Sequence, residues 1–257
     1  MKIKTLLLAS LLGFTLNLNA AEKIVVAATP VPHAEILNQA KGELEKEGYT
    51  LVVKEFTDYV LPNLATDNGE VDANFFQHTP YLEEFNKNKG TKLVKVANIH
   101  IEPMAVYSKK YKSFDELKDG AKIAVPNDPT NESRALDIIA KTGLVSFNDK
   151  ALKTPVDIKN NPKNFKFVEL KAAQLPRALS DVDVAVINSN YALGASLNPV
   201  KDSIFIEDKD SPYVNILVVK EGKDQEPKIK ALVKALQSEK IKKFITEKYN
   251  GAVVPAF

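Results

Sequence analysis

The chain has 257 residues, with 35 Lys and Arg against 33 Asp and Glu, 3 His and no Cys. That length supports a substantial core in one large or two smaller domains, and without Cys there is neither a disulfide framework nor a thiol nucleophile. The near balance of charge excludes broad nucleic-acid binding, which depends on clustered positive charge.

The first segment reads as a targeting signal rather than fold. Lys2 and Lys4 precede the apolar run Leu6 to Leu18, and small residues Ala20 and Ala21 follow, the pattern of a secretory signal peptide over 1–21. The apolar run is shorter than the roughly 20 residues of a membrane span. Cleavage removes two lysines and leaves acids and bases even. With no Cys to carry a lipid, the expectation is a protein free and soluble in the periplasm.

Lys23 to Ala28 is a β-branched strand stopped by Thr29-Pro30-Val31-Pro32. A helix follows with Ile36, Leu37, Ala40 and Leu44 on one face and Gly48 past its end. Leu51 to Phe56 is the next strand, and a short helix after Pro62 closes at Asp67-Asn68-Gly69. A strand then ends at Phe76, and a helix begins with Thr79 as its N-cap and Pro80 at its first position. Leu93 to Tyr107 is extended and interrupted at Pro103. Ser113-Phe114-Asp115-Glu116 fits a capping box and predicts a helix to Gly120.

Lys122 to Val125 is a strand, and Asn127-Asp128-Pro129-Thr130 leads into a helix that places Arg134 in its first turn and closes at Gly143. Phe165 to Leu170 and Val182 to Ile187 are strands with a helix near Leu175 to Ser180 between them. Val214 to Lys220 is the last strong strand, and Pro227 to Tyr249 reads as one amphipathic helix. Strands alternating with helices predict a two-lobed α/β fold, mostly parallel, with flanking helices and a hinge. The expected lobes are 22–106 and 107–213, with 214–257 returning to the first.

Two stretches echo each other. Val71-Asp72-Ala73-Asn74-Phe75-Phe76-Gln77-His78 and Val182-Asp183-Val184-Ala185-Val186-Ile187-Asn188-Ser189 each open on Val-Asp, cross an apolar run and end in polar groups before a helix. Ligands gather where strand gives way to helix in such folds, so two such points suggest two lobes facing one ligand. Arg134 at a helix N-terminus suits a carboxylate, although a surface arginine or a pair with Asp128 or Glu132 fits its spacing equally. Phe75, Phe76 and Tyr81, with Tyr59, can line an apolar pocket or simply form core. His78 offers a polar contact beside them. Asn188, Asn190 and Asn215 offer donor and acceptor together, which suits a zwitterion, or else cap helices and turns.

No set of residues supports catalysis: there is no Gly-x-Ser-x-Gly elbow, phosphate loop or His-Glu-x-x-His. A metal site would need His33, His78 and His100 to converge with a carboxylate such as Glu102.

Further stretches are Ala28-Thr29-Pro30-Val31-Pro32-His33-Ala34-Glu35-Ile36-Leu37, Asp58-Tyr59-Val60-Leu61-Pro62-Asn63, Val125-Pro126-Asn127-Asp128-Pro129-Thr130-Asn131 with Arg134-Ala135-Leu136, and Ile187-Asn188-Ser189-Asn190-Tyr191-Ala192. Together with the 71–82 stretch, and in this order over nearly the whole mature chain, they resemble the NlpA/MetQ family of methionine-binding proteins, which deliver substrate to an ABC importer. The resemblance implies a type II-like periplasmic binding protein closing on L-methionine or a related amino acid. It implies Arg134 on the ligand carboxylate and Tyr59, Phe76, Phe75 and His78 around the side chain, with Asn188 and Asn215 on the backbone groups. The implied partners are a permease and its ATPase, with no cofactor and no metal, and the chain is expected to be a monomer. It departs from the family in lacking the usual lipidated Cys, and in carrying Glu132-Ser133 where a glycine-containing pair is more usual. A methionine-containing dipeptide is the rival ligand, and an exported adhesin on the same fold the rival of another class.

Overall fold

The computed structural model describes residues 21–208 and 210–257; the expected signal peptide, apart from Ala21, lies outside them. In the first half, β1 (Glu22–Ala28), α1 (Glu35–Lys46), β2 (Tyr49–Glu55), α2 (Leu61–Asp67), β3 (Ala73–His78), α3 (Thr79–Lys89), β4 (Leu93–Ile101) and β5 (Ala105–Tyr107) follow one another. Next come β6 (Lys122–Pro126), α4 (Pro129–Ala140), β7 (Ser146–Phe147), β8 (Ile158–Asn160), β9 (Lys166–Leu170), α5 (Leu175–Ala178), β10 (Val184–Ile187) and α6 (Ser189–Gly194). The chain ends with β11 (Phe205–Ile206), β12 (Val214–Lys220), α7 (Pro227–Leu236), α8 (Glu239–Tyr249) and β13 (Val254–Pro255). Among the described residues, no helix is long and apolar enough to cross a membrane.

The strands form two main sheets. One runs β13-β4-β12-β3-β1-β2 and the other β11-β5-β10-β6-β9, while β7 and β8 pair separately. Pairing is parallel where helices connect neighbours, as in β1 with β2 and β3, and β6 with β9 and β10. It is antiparallel along β12, which lies between β3 and β4. The chain passes from the first sheet to the second between β4 and β5, and returns between β11 and β12. A core of Ile24, Ile36, Leu37, Leu217, Leu232 and their neighbours fills the first body. Clusters around Ile123, Leu136 and Val186, and around Leu175 and Ile187, fill the two faces of the second.

The echoed Val-Asp pairs do the same work in both sheets. Asp72 accepts a hydrogen bond from the Val25 backbone at 2.7 Å and pairs with Lys228 at 2.6 Å. Asp183 accepts from the Lys122 backbone at 2.8 Å and pairs with Lys110 at 3.0 Å. Each carboxylate thus ties the entry of its strand to the parallel neighbour. The aspartates are structural; only the far ends of these strands reach the region between the sheets.

Several local expectations are corrected. The capping box at Ser113 yields one turn, Phe114–Glu116, because Glu116 accepts from the Lys112 backbone and Leu117 turns extended to bury in the second core. The tail is two helices, broken at Gln237 and restarted by Ser238, whose hydroxyl caps the Ile241 N–H. The cap of α3 is His78 rather than Thr79. Arg134 is the sixth residue of α4, in its second turn, since Asp128 caps the helix and Pro129 opens it.

Candidate functional site

The carboxyl ends of β3, β6 and β10 converge on a cavity between the two sheets, closed in by the end of β4 and the start of β12. Along β3, alternation splits two neighbouring aromatics. Phe76 turns to the cavity, whereas Phe75 turns into the first core and is fully buried there, so Phe75 does not line the pocket. Tyr59 lies 5.9 Å from both Phe76 and Tyr81, ring centre to ring centre, and the Tyr81 hydroxyl donates to the Tyr59 carbonyl at 2.9 Å. These three rings make an apolar wall. Gln77 beside them is held in a buried amide network, donating to Asn74 at 2.8 Å and accepting from Asn63 at 3.0 Å.

The polar side is ordered by a chain of hydrogen bonds. His78 Nδ1 accepts from the Tyr81 backbone N–H, which puts the ring proton on Nε2, 3.1 Å from Asn131 Oδ1. Burial holds the His78 pKa down at about 3, with the Arg134 charge acting in the same direction, so the ring is neutral. Asn131 donates its amide to Asp128 at 2.9 Å and accepts from Asn188 Nδ2 at 2.8 Å. Asn188 Oδ1 is then left buried without a partner among the described residues. A buried acceptor of this kind costs free energy until a donor reaches it.

Arg134 is 3% exposed. Its Nε and Nη2 bind the Glu207 carboxylate, Nη2 also donates to the Glu102 carbonyl at 2.9 Å, and its guanidinium lies 4.2 Å from the Tyr213 ring centre. Neither Asp128 nor Glu132 is its partner. These bonds occupy Nε and Nη2, and Nη1 takes no part in them.

Glu102 closes the same end of the cavity. Its Oε1 is 2.7 Å from His100 Nε2 and 3.2 Å from His33 Nε2. Burial raises the carboxyl pKa, while His33, Arg134 and the Asn190 N–H pull the other way. His33 also reaches Asn215 Oδ1 at 3.0 Å and Thr29 Oγ1 at 2.7 Å. Three donor atoms of His33, His100 and Glu102 lie within 4.8 Å of one another. His78 is not among them, so of the four residues named from the sequence only three come together. The three groups present satisfy one another as donors and acceptor.

Tyr59, Phe76, His78, Tyr81, Arg134, Asn188, Asn190 and Asn215 therefore line one cavity, together with Gln77, Glu102, Asn131 and Ser189. Sequence reasoning did not assign the last four to the ligand. Asn131 had a usable signal: it is the third residue of α4, in the first turn after the Asp-Pro start. Glu102 entered the sequence reading only as a carboxylate for a metal site, and nothing in its neighbourhood marked it as facing an organic ligand.

The NlpA lipoprotein family matches residues 24–257. The chain is 49% identical over 214 residues to the D-methionine-binding lipoprotein MetQ of Salmonella typhi, covering 82% of this chain and 79% of that one. It is 45% identical over 241 residues to the methionine-binding lipoprotein MetQ of Bacillus subtilis, covering 91% and 88%. A nutrient-binding protein from Burkholderia cenocepacia, solved bound to methionine, superposes with a TM-score of 0.89 at 47% identity over 91% of this chain and all of that one.

These names overturn one expectation, that of a protein free and soluble in the periplasm, because the family and these curated relatives are lipoproteins by name. That expectation leaned on a missing residue type, and a missing Cys speaks only to lipid attachment at Cys. The matched family, the relatives and the two-sheet cavity agree: the chain belongs to the NlpA lipoprotein family.

Proposed function

We propose that this chain is the substrate-binding component of an ABC importer, closing on methionine or a closely related free α-amino acid and handing it to a permease driven by its ATPase. It acts as a monomer and performs no chemistry on the ligand. The lobes are 22–106 and 107–213, with 214–257 returning to the first, and the two interlobe passages serve as the hinge. Ligand that binds the closed form better shifts the population toward it.

The observation that carries this reading is the adjacency of Arg134 and Glu102. In an α-amino acid one carbon separates ammonium from carboxylate, so its cationic and anionic anchors must be neighbours. Arg134 donates to the backbone oxygen of Glu102 itself. We assign the ligand carboxylate to Arg134 and the ammonium to Glu102 and the Asn188 Oδ1 acceptor. The thioether then lies along Tyr59, Phe76 and Tyr81, a soft, polarizable group against aromatic rings. A dipeptide would separate its charged ends by a peptide unit, which favours the free amino acid.

Calorimetric titration of ligand-stripped protein with L-methionine, D-methionine and Gly-Met tests the proposal. Stoichiometric binding of a methionine enantiomer supports it. Heat with Gly-Met alone would replace the ligand by a dipeptide, and silence with all three would defeat the transport reading.

A further inference from the structure

His33 and His100 touch Glu102 and Asn215 from behind the cavity wall, and neither imidazole lines the cavity. Their protonation is set by their partners. His33 Nε2 faces two acceptors, Asn215 Oδ1 and Glu102 Oε1, so it carries the proton, and the Thr29 hydroxyl donates to Nδ1. His100 Nε2 faces the same Glu102 oxygen at 2.7 Å, and its Nδ1 has no partner among the described residues, as befits a lone pair rather than an N–H.

The two rings are themselves fixed. Phe75 packs edge-on against both, at 4.7 Å from His33 and 5.2 Å from His100, and the rings lie 5.0 Å from each other. His33 and His100 are 1% and 0% exposed. Asn215 stands between His78 and His100 in the row that crosses β3, β12 and β4. Four segments therefore meet here: the turn after β1, the end of β4, the start of β12, and Phe75 from β3.

We propose that His33 and His100 are positioning residues, a neutral two-imidazole brace that holds the Glu102 carboxylate and the Asn215 amide in place and thereby makes the site selective for a ligand bearing a free α-ammonium. This rests on the assignment of Glu102 to the ammonium in the preceding section. A carboxylate that accepts the His100 N–H, with the His33 ring 3.2 Å from the same oxygen, is held from swinging to pair with Arg134. Released from the brace, it would leave the ligand ammonium without a fixed acceptor.

The test compares L-methionine with its des-amino analogue, 4-(methylthio)butanoic acid, by calorimetric titration of the wild type, His33→Leu, His33→Gln, His100→Leu and His100→Gln. The wild type is expected to prefer methionine by roughly 10- to 100-fold, the worth of a charge-assisted contact. Each leucine variant should lose most of that preference while still binding the analogue. His33→Gln, whose amide supplies two N–H donors near the lost Nε2, should retain most of it. A leucine variant that keeps the preference overturns the proposal, as does one that weakens both ligands alike, which would mark a merely structural role.

Histidine ¹⁵N shifts of the ligand-free protein give a readout that needs no ligand and no variant. Both rings are expected neutral with the proton on Nε2 at about pH 7, and a charged ring or an Nδ1–H tautomer at either position overturns the brace. A wild type that binds neither ligand would defeat the methionine reading instead, with the tautomers still deciding the brace.

Discussion

His78 Nε2 donates to Asn131 Oδ1 at 3.1 Å, joining the end of β3 in the first sheet to the first turn of α4 beside the second. Two further bonds bridge the same gap. The Tyr59 hydroxyl donates to Asn190 Oδ1 at 2.6 Å and the Tyr191 hydroxyl to the Thr57 carbonyl at 3.0 Å. The two halves are thus latched by neutral hydrogen bonds around a charged centre. Individually weak bonds of this type let a clamp open again.

Tyr59→Phe removes one latch and leaves the ring in the aromatic wall. A neutral hydrogen bond contributes about 0.5–1.5 kcal/mol, so methionine affinity should fall roughly 2- to 12-fold. The change should appear in the dissociation rate measured by stopped flow, since related complexes differ mainly there. An unchanged dissociation rate would show that this bridge does not hold the closed form.

Phe75 and Phe76 should separate cleanly although they are adjacent. Phe75→Ala opens a hole in the first core and should cost about 3–5 kcal/mol of stability. Phe76→Ala should fall mainly on methionine affinity, with a smaller effect on unfolding. Chemical denaturation and titration of both variants decide it, and equal losses of stability would contradict the division between core and cavity.

Glu207 is the buried counter-charge of Arg134, at 8% and 4% side-chain exposure. Removing one partner of a buried pair strands the other, at about 3–5 kcal/mol. Glu207→Ala should therefore lower the melting temperature by of order 10 °C for a chain of this size. A drop of only a degree or two would mean that Arg134 finds other compensation.

Acid should weaken the fold through its histidines. Burial holds His33 at about 4 and His78 and His100 at about 3, below the ordinary value of 6.5. Between these values the unfolded chain binds protons that the folded chain refuses. The stability these rings contribute is complete above about pH 6.5 and is lost as pH falls toward about 4, at roughly 1.4 kcal/mol per pH unit for each proton. Glu102, raised by burial, opposes this by favouring the folded state once protonated. Urea midpoints at about pH 7 and about pH 5 measure the balance, with the lower expected at pH 5. Equal midpoints would mean that the rings titrate alike in both states.

Much of the fold was legible in local pattern. Alternation and β-branching marked β1, β3, β6, β10 and β12, and proline with a polar cap marked the starts of α3 and α4. These signals act over a few residues, because period and capping are properties of neighbouring backbone groups. The same locality explains the errors. Ser113 to Glu116 has the letters of a capping box, but the burial of Leu117 governs that segment, and the tail pattern runs through a break that Ser238 makes by capping a second helix.

The sequence by itself determined the order of the elements, the strand ends where a ligand would gather, and the family, because these are written in short contiguous stretches. Only the tertiary structure decided which side chains those ends bring together. Arg134 finds Glu207 at a separation of 73 residues, and His33 finds Asn215 at 182. It also sent Phe75 to the core and Phe76 to the cavity, although the two are identical in type and adjacent in sequence. A pairing across such distances is chosen by which surfaces pack, and the energy of packing belongs to the whole arrangement rather than to any stretch of it.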